Sequence, residues 1–135
     1  LRQLVCDRKI IGDIRHMQDV DTQEYVFRTA REVAELLVEK KANNVLGIDI
    51  SSLTSMADCF IIADVEVQLQ IDSLRSHIVD MLSARGIYAR NAVNSVQHGW
   101  ALLDYNGFVI HLFLAELREY FGLEKIWGEG KQIFP

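Results

Sequence analysis

Asp49, Asp58, Asp64 and Asp104 all fall in or beside stretches rich in Ile, Val and Phe. Carboxylates carried on strands can converge on Mg²⁺ and assist nucleotide transfer. Such a site also needs a loop and basic groups for a triphosphate, and Asp49, between Ile48 and Ile50, has neither an Asp-x-Asp pair nor a preceding Gly-Ser helix start. A metal-dependent nucleotidyltransferase is therefore a reading that the carboxylates permit and do not require. Ser95, His98 or His111, and Asp104 supply the residue types of a nucleophile, base and orienter, but no spacing enforces the hydrogen-bond geometry a triad depends on. The sequence has no P-loop and no G-x-S-x-G elbow, and Gly128-Glu129-Gly130 lacks the helix that a dinucleotide-binding loop opens into. Cys6 and Cys59 have neither metal-ligand nor disulfide spacing, and Cys59, next to Phe60-Ile61-Ile62, reads as a small buried hydrophobe. His16, His77 and His98 read as surface residues. No cofactor and no metal is expected.

The elements that must position these residues follow from periodicity. Ile10, Ile11, Ile14 and Met17 make a short helical stripe interrupted by Gly12, so residues 1–20 read as a leading segment of unassigned role. A capping-box-like Asp21-Thr22-Gln23-Glu24 opens a helix marked by Val26, Phe27, Ala30, Val33, Ala34, Leu37 and Val38, which ends in Lys40 and Lys41. Val45 to Ile50 reads as a strand and Ser51 to Met56 as a loop. Phe60 to Ala63 is continuously apolar, as a strand buried on both faces should be. A second helix runs from about Val67 to Ser83, with Gly86 following as a terminator. A short strand is expected around Ile87 to Val93. Glu116 to Trp127 reads as a helix broken by Gly122, and residues 129–135 as a tail.

Residues 100–113 carry the strongest local signal. Asn106-Gly107 suits a two-residue type I′ turn, which pairs Trp100 with Phe113, Ala101 with Leu112, Leu102 with His111, Leu103 with Ile110 and Asp104 with Val109. Side chains alternate across a strand. One face is then Ala101, Leu103, Tyr105, Phe108, Ile110 and Leu112, almost wholly apolar and assigned to the core. The other mixes Trp100, Leu102, Asp104, Val109, His111 and Phe113. Such a face is either covered by a helix, or catalytic, or a docking surface.

Bulk composition narrows the choice. The chain has 135 residues, half of them hydrophobic, and a net charge of -5. One α/β domain with a mixed sheet of about five strands flanked by helices, spanning residues 21–128, fits these numbers. The acidic balance opposes broad phosphate-backbone binding, so little direct nucleic-acid contact is expected. No apolar run approaches the roughly 20 residues that span a bilayer, so no membrane partner is expected. The first residues lack the order of a signal peptide, which makes a soluble intracellular protein the expectation.

From about Tyr25 to Gly128 the sequence resembles the ribosomal silencing factor (RsfS/Iojap) family. The resemblance rests on residues 52–63 (Ser-Leu-Thr-Ser-Met-Ala-Asp-Cys-Phe-Ile-Ile-Ala), 100–105 (Trp-Ala-Leu-Leu-Asp-Tyr) and 109–113 (Val-Ile-His-Leu-Phe). Most specific is 116–127, Glu-Leu-Arg-Glu-Tyr-Phe-Gly-Leu-Glu-Lys-Ile-Trp, similar to the family's E-x-R-x-x-Y-x-L-E-x-L-W ending. It departs in three places: Phe121 stands where Tyr is usual, Val93-Asn94 where Glu-Gly is usual, and Asp64-Val-Glu-Val67 replaces a longer Thr-Gly-rich loop.

The resemblance implies a nucleotidyltransferase-like domain without transferase activity, binding the large ribosomal subunit chiefly through its fourteenth protein. Steric exclusion of the small subunit would then repress translation during nutrient limitation. The implied contact residues are Trp100, Leu102, Asp104, His111, Phe113, Glu116 and Arg118; Leu123 and Trp127 read instead as clamping the last helix to the sheet. Net negative charge suits a basic ribosomal protein. The family implies a bacterial cytoplasm or an organelle. The transferase, and a module that pairs with itself as a homodimer when free, remain the alternative readings.

Overall fold

The computed structural model describes residues 19–91 and 95–135; the stripe at residues 10–17 and part of the connection before the hairpin lie outside them. The order is α1 (Asp19–Glu39), β1 (Asn43–Asp49), β2 (Cys59–Val65), α2 (Gln68–Ser83), β3 (Ser95–Gln97), β4 (Trp100–Asp104), β5 (Phe108–Leu114), α3 (Ala115–Phe121), α4 (Leu123–Ile126) and β6 (Lys131–Phe134). The strands form one six-stranded sheet in the order β3-β4-β5-β2-β1-β6. Only β2 and β5 run parallel; the other neighbours are antiparallel. This is the mixed sheet of a single α/β domain that the sequence implies, with one strand more than expected.

The helices divide between the two faces. The apolar stripe of α1, with Ala30, Val33, Ala34 and Leu37 fully buried, packs with Ile71, Leu74, Ile78 and Leu82 of α2 on one side of the sheet. There they meet Ile61 and Ala63 of β2 and the hairpin residues Ala101, Leu103, Ile110 and Leu112, the face assigned to the core. Strand β2 is buried nearly throughout because it has a strand on each side and helices on both faces. The hairpin register is the expected one at every pair from Trp100–Phe113 to Asp104–Val109.

Several local expectations are corrected. The turn is not type I′, because only Asn106 takes a positive φ, 76°. The Gly107 N–H closes a tight ring onto the Tyr105 carbonyl at 2.9 Å, while the Gly107 carbonyl accepts from the N–H groups of Asp58 at 2.8 Å and Cys59 at 3.3 Å. Those bonds orient the Gly107 peptide. Glycine is needed there for proximity, since a Cβ at Gly107 would sit 2.6 Å from Val26 Cγ2 of α1.

Helix α1 starts at Asp19, ahead of the expected cap, and stops at Glu39. Lys41 turns out of the helix at φ 72°, and Ala42 N–H bonds back to the Leu37 carbonyl at 2.9 Å, so the lysines form the exit turn. The expected strand at 87–93 is displaced to Ser95–Gln97. Asn91 takes its place beside β4 with side-chain bonds, Nδ2 to the Leu102 carbonyl at 2.8 Å and Oδ1 from the Asp104 N–H at 3.0 Å. Lys131–Phe134, read as part of a tail, pair with β1 as its outer neighbour. The short connection after Ala63 is closed by Gln70, whose Oε1 accepts from Glu66 N–H at 3.0 Å and Val67 N–H at 3.1 Å. Gly122 breaks the last helix as expected, at φ 58°.

Candidate functional site

On the sheet face away from α1 and α2, the strand registers line up Trp100, Leu102 and Asp104 beside Val109, His111 and Phe113, and these beside Phe60, Ile62 and Asp64. Helices α3 and α4 cover one end of this face. Leu117, Phe121, Leu123 and Trp127 pack there with Phe113, Ile62 and Ile48. Trp100 stacks on Phe113 at 5.3 Å and meets Phe121 at 5.0 Å, while Trp127 stands edge-on to Phe60 at 5.4 Å. The other end, toward the hairpin turn, stays open as a groove of about 550 Å³. Leu102, Val109 and His111 line it together with Trp127, Arg90 and the loop residue Met56. Met56 is 79% exposed.

The polar groups on this face are mostly engaged. His111 is buried, and its Nδ1 accepts from Trp100 Nε1 at 3.3 Å. That bond places the imidazole proton on Nε2, which has no hydrogen-bond partner among the described residues. Burial lowers the His111 pKa to about 4, so the ring is neutral at pH 7. Asp104 Oδ1 accepts from the Asn106 N–H at 2.9 Å, and Arg90 Nη1 donates to Asn106 Oδ1 at 2.9 Å. Asp104 and His111 thus bond to different groups and do not form the orienter–base unit of a triad. Burial pushes the Cys59 thiol pKa up, which keeps it protonated as a small apolar group.

At the covered end, Arg118 reaches in from α3. Its Nη1 donates to Asp64 Oδ2 at 3.0 Å and to the Asn44 carbonyl, and its Nε donates to Glu124 Oε2 at 3.1 Å. Asn44 Nδ2 adds a bond to Asp64 at 3.2 Å. Of the other candidate metal ligands, Asp49 accepts from the Ser51 N–H and hydroxyl, and Asp58 from Gln23. The four aspartates are dispersed, each with its own partner. Among the described residues no helix is long and apolar enough to cross a membrane.

The expected contact residues are therefore divided. Leu102 and Asp104 line the groove, His111 contributes to its floor, Trp100 is half-buried beside it, and Glu116 is exposed on α3. Phe113 is fully buried under α3, and Arg118 is 7% exposed and holds Asp64, so neither is presented to a partner. Leu123 and Trp127 pack α4 against the sheet as read from the sequence, and Trp127 also forms one wall of the groove. Met56, Phe60 and Arg90 are lining residues that the sequence did not single out. Met56 had one signal, an unbranched apolar residue in a Ser/Thr-rich loop. Arg90 had none, because its position depends on the connection to β4.

Residues 22–134 match the family model for "ribosomal silencing factor during starvation". The chain belongs to this family. The matched span takes in β6 as well as the hairpin and the α3–α4 ending. The Bacillus subtilis ribosomal silencing factor RsfS is 29% identical over 91 residues, covering 67% of this chain and 77% of that protein. The chloroplastic Iojap protein of Arabidopsis thaliana is 32% identical over 116 residues, 85% of this chain and 47% of that one. A crystal structure of a Chromobacterium violaceum protein matches the fold with a TM-score of 0.68 at 25% identity, covering 78% of this chain and 85% of the other.

Proposed function

We propose that this member of the family acts on the ribosome, binding the large subunit chiefly through its fourteenth protein and preventing the small subunit from joining. The action is obstruction by bulk and involves no catalysis. The observation that carries the reading is the groove: the protein's own helices cover the Phe113 end of the outer sheet face and leave Leu102, Val109 and Trp127 lining an open depression. Apolar and aromatic anchors with a polar rim are the usual composition of a protein interface. The net charge of -5 favours a basic partner. The setting is a bacterial cytoplasm or an organelle.

The test is sedimentation with purified subunits. The full chain should travel with isolated large subunits, be absent from joined ribosomes, and reduce joining when added first. Leu102→Arg places a cation on the apolar floor from a half-exposed position, so affinity should fall by about 2 kcal/mol or more. Equal binding to joined ribosomes, or undiminished binding by Leu102→Arg, overturns the reading. Trp100→Ala is a poorer probe, because Trp100 also packs on Phe113 and Phe121.

A further inference from the structure

The loop between β1 and β2 is tied down at both ends and leaves one apolar side chain out. Ile50 is fully buried and Ala57 nearly so. Between them the Leu53 and Thr54 N–H groups donate to the Ile50 carbonyl at 2.9 and 3.2 Å, and the Met56 N–H donates to Thr54 Oγ1 at 3.1 Å. These bonds fix the backbone without calling on the Met56 side chain, which belongs to neither core cluster of the described residues. It lines the groove instead, together with Phe60, Leu102, Val109 and Trp127, and is left 79% exposed.

That placement bears on its chemistry. A thioether is oxidised by hydroperoxides to the degree that its sulfur is exposed. The sulfur attacks one peroxide oxygen, the S–O bond forms as the O–O bond breaks, and the departing hydroxide takes the proton of the transferred oxygen and leaves as water. Sulfur is oxidised by an electron pair and the peroxide is reduced by the same pair. Of the three methionines in the chain, Met81 is half-buried on α2 against the core and Met17 lies outside the described residues.

We propose that Met56 is a site of reversible oxidation by hydroperoxides, and that its sulfoxide weakens whatever the groove binds. The second half rests on the ribosomal reading above. As a thioether, Met56 is a flexible apolar contact that adapts to the surface it meets. The sulfoxide oxygen is a polar acceptor, and pressing it against an apolar partner strips its water without supplying a donor. The loss of one such anchor should lower affinity for the large subunit roughly ten-fold. Methionine sulfoxide reductases regenerate the thioether, so the change is one that a cell can undo.

The experiment exposes the full chain to hydrogen peroxide and follows each methionine by peptide mass spectrometry. Met56 should be converted well ahead of Met81, and saturation with isolated large subunits should slow it by covering the site. Sedimentation then compares binding before and after peroxide. The Met17→Leu/Met81→Leu chain, whose one methionine is Met56, should lose affinity roughly ten-fold on oxidation and regain it with the reductases. Dithiothreitol alone should not restore it, which separates the effect from oxidation of a cysteine. The Met56→Leu chain should bind equally before and after peroxide, whatever its starting affinity. Oxidation of Met56 no faster than Met81, or a Met56→Leu chain as sensitive to peroxide as the parent, overturns the proposal. If Met56 is oxidised first but the untreated chain binds no large subunits, the modification site stands and the ribosomal reading falls. If the chain binds large subunits equally well with Met56 oxidised, the ribosomal reading stands and the proposal falls.

Discussion

Arg118 shows how a charge predicted to face outward is used inward. Asp64 and Arg118 are 4% and 7% exposed, and each accounts for the other's burial. Arg118→Met should leave a carboxylate uncompensated and cost about 3–5 kcal/mol in urea unfolding, with much of that loss recovered in Arg118→Met/Asp64→Leu. A loss near zero in the single variant contradicts the pairing. His111 gives a pH prediction. Its folded pKa near 4 lies below the ordinary histidine value of about 6.5, so between these values the unfolded chain takes up a proton that the native one refuses. Its contribution to stability is complete above about pH 6.5 and declines by about 3 kcal/mol as the pH falls to 4. An NMR titration of the His111 ring should have its midpoint near 4; a midpoint near 6.5 refutes this. Leu102 and Asp104 were legible as outward-facing because alternation in a hairpin is a local rule. The Arg118–Asp64 bond spans 54 residues and had no local signature.

At the scale of elements, the hairpin and α1 are fitted to each other at Gly107. Gly107→Ala should destabilise the fold by about 1–3 kcal/mol through overpacking, and Val26→Ala should relieve part of that loss in a double-mutant cycle. Additive effects would mean that the clash lies elsewhere. Gly122 joins α3 to α4 at φ 58°, and Gly122→Ala should cost about 1 kcal/mol there, measured by thermal unfolding. Long periodic helices, the continuously apolar β2 and the Asn-Gly hairpin were readable because each pattern is imposed by a single surface it must bury. The turn type was not, since Asp58 and Cys59 decide the orientation of the Gly107 peptide from another strand. The short strand before the hairpin, expected at 87–93 and found at Ser95–Gln97, and β6, expected as tail, differ for another reason: three and four residues long at the sheet's margins, they are too short to produce a pattern.

For the whole molecule, the two helix layers are unequal. α1 and α2 cover their face broadly, whereas the short α3 and α4 cover only part of theirs, and this leaves the groove beside the hairpin. Neither that shortfall nor the placement of Trp127 as both clamp and wall follows from any one segment of sequence. β6 has a consequence of its own. It lies along the outer edge of β1, bonding Gly47, Ile48 and Asp49 to Phe134, Gln132 and Lys131. Cleavage at Gly128–Gly130 would uncover β1, and its exposed amides would then recruit a strand from another molecule. The clipped protein should form concentration-dependent aggregates visible by light scattering while the intact chain remains dispersed, which makes these four residues a guard against polymerisation.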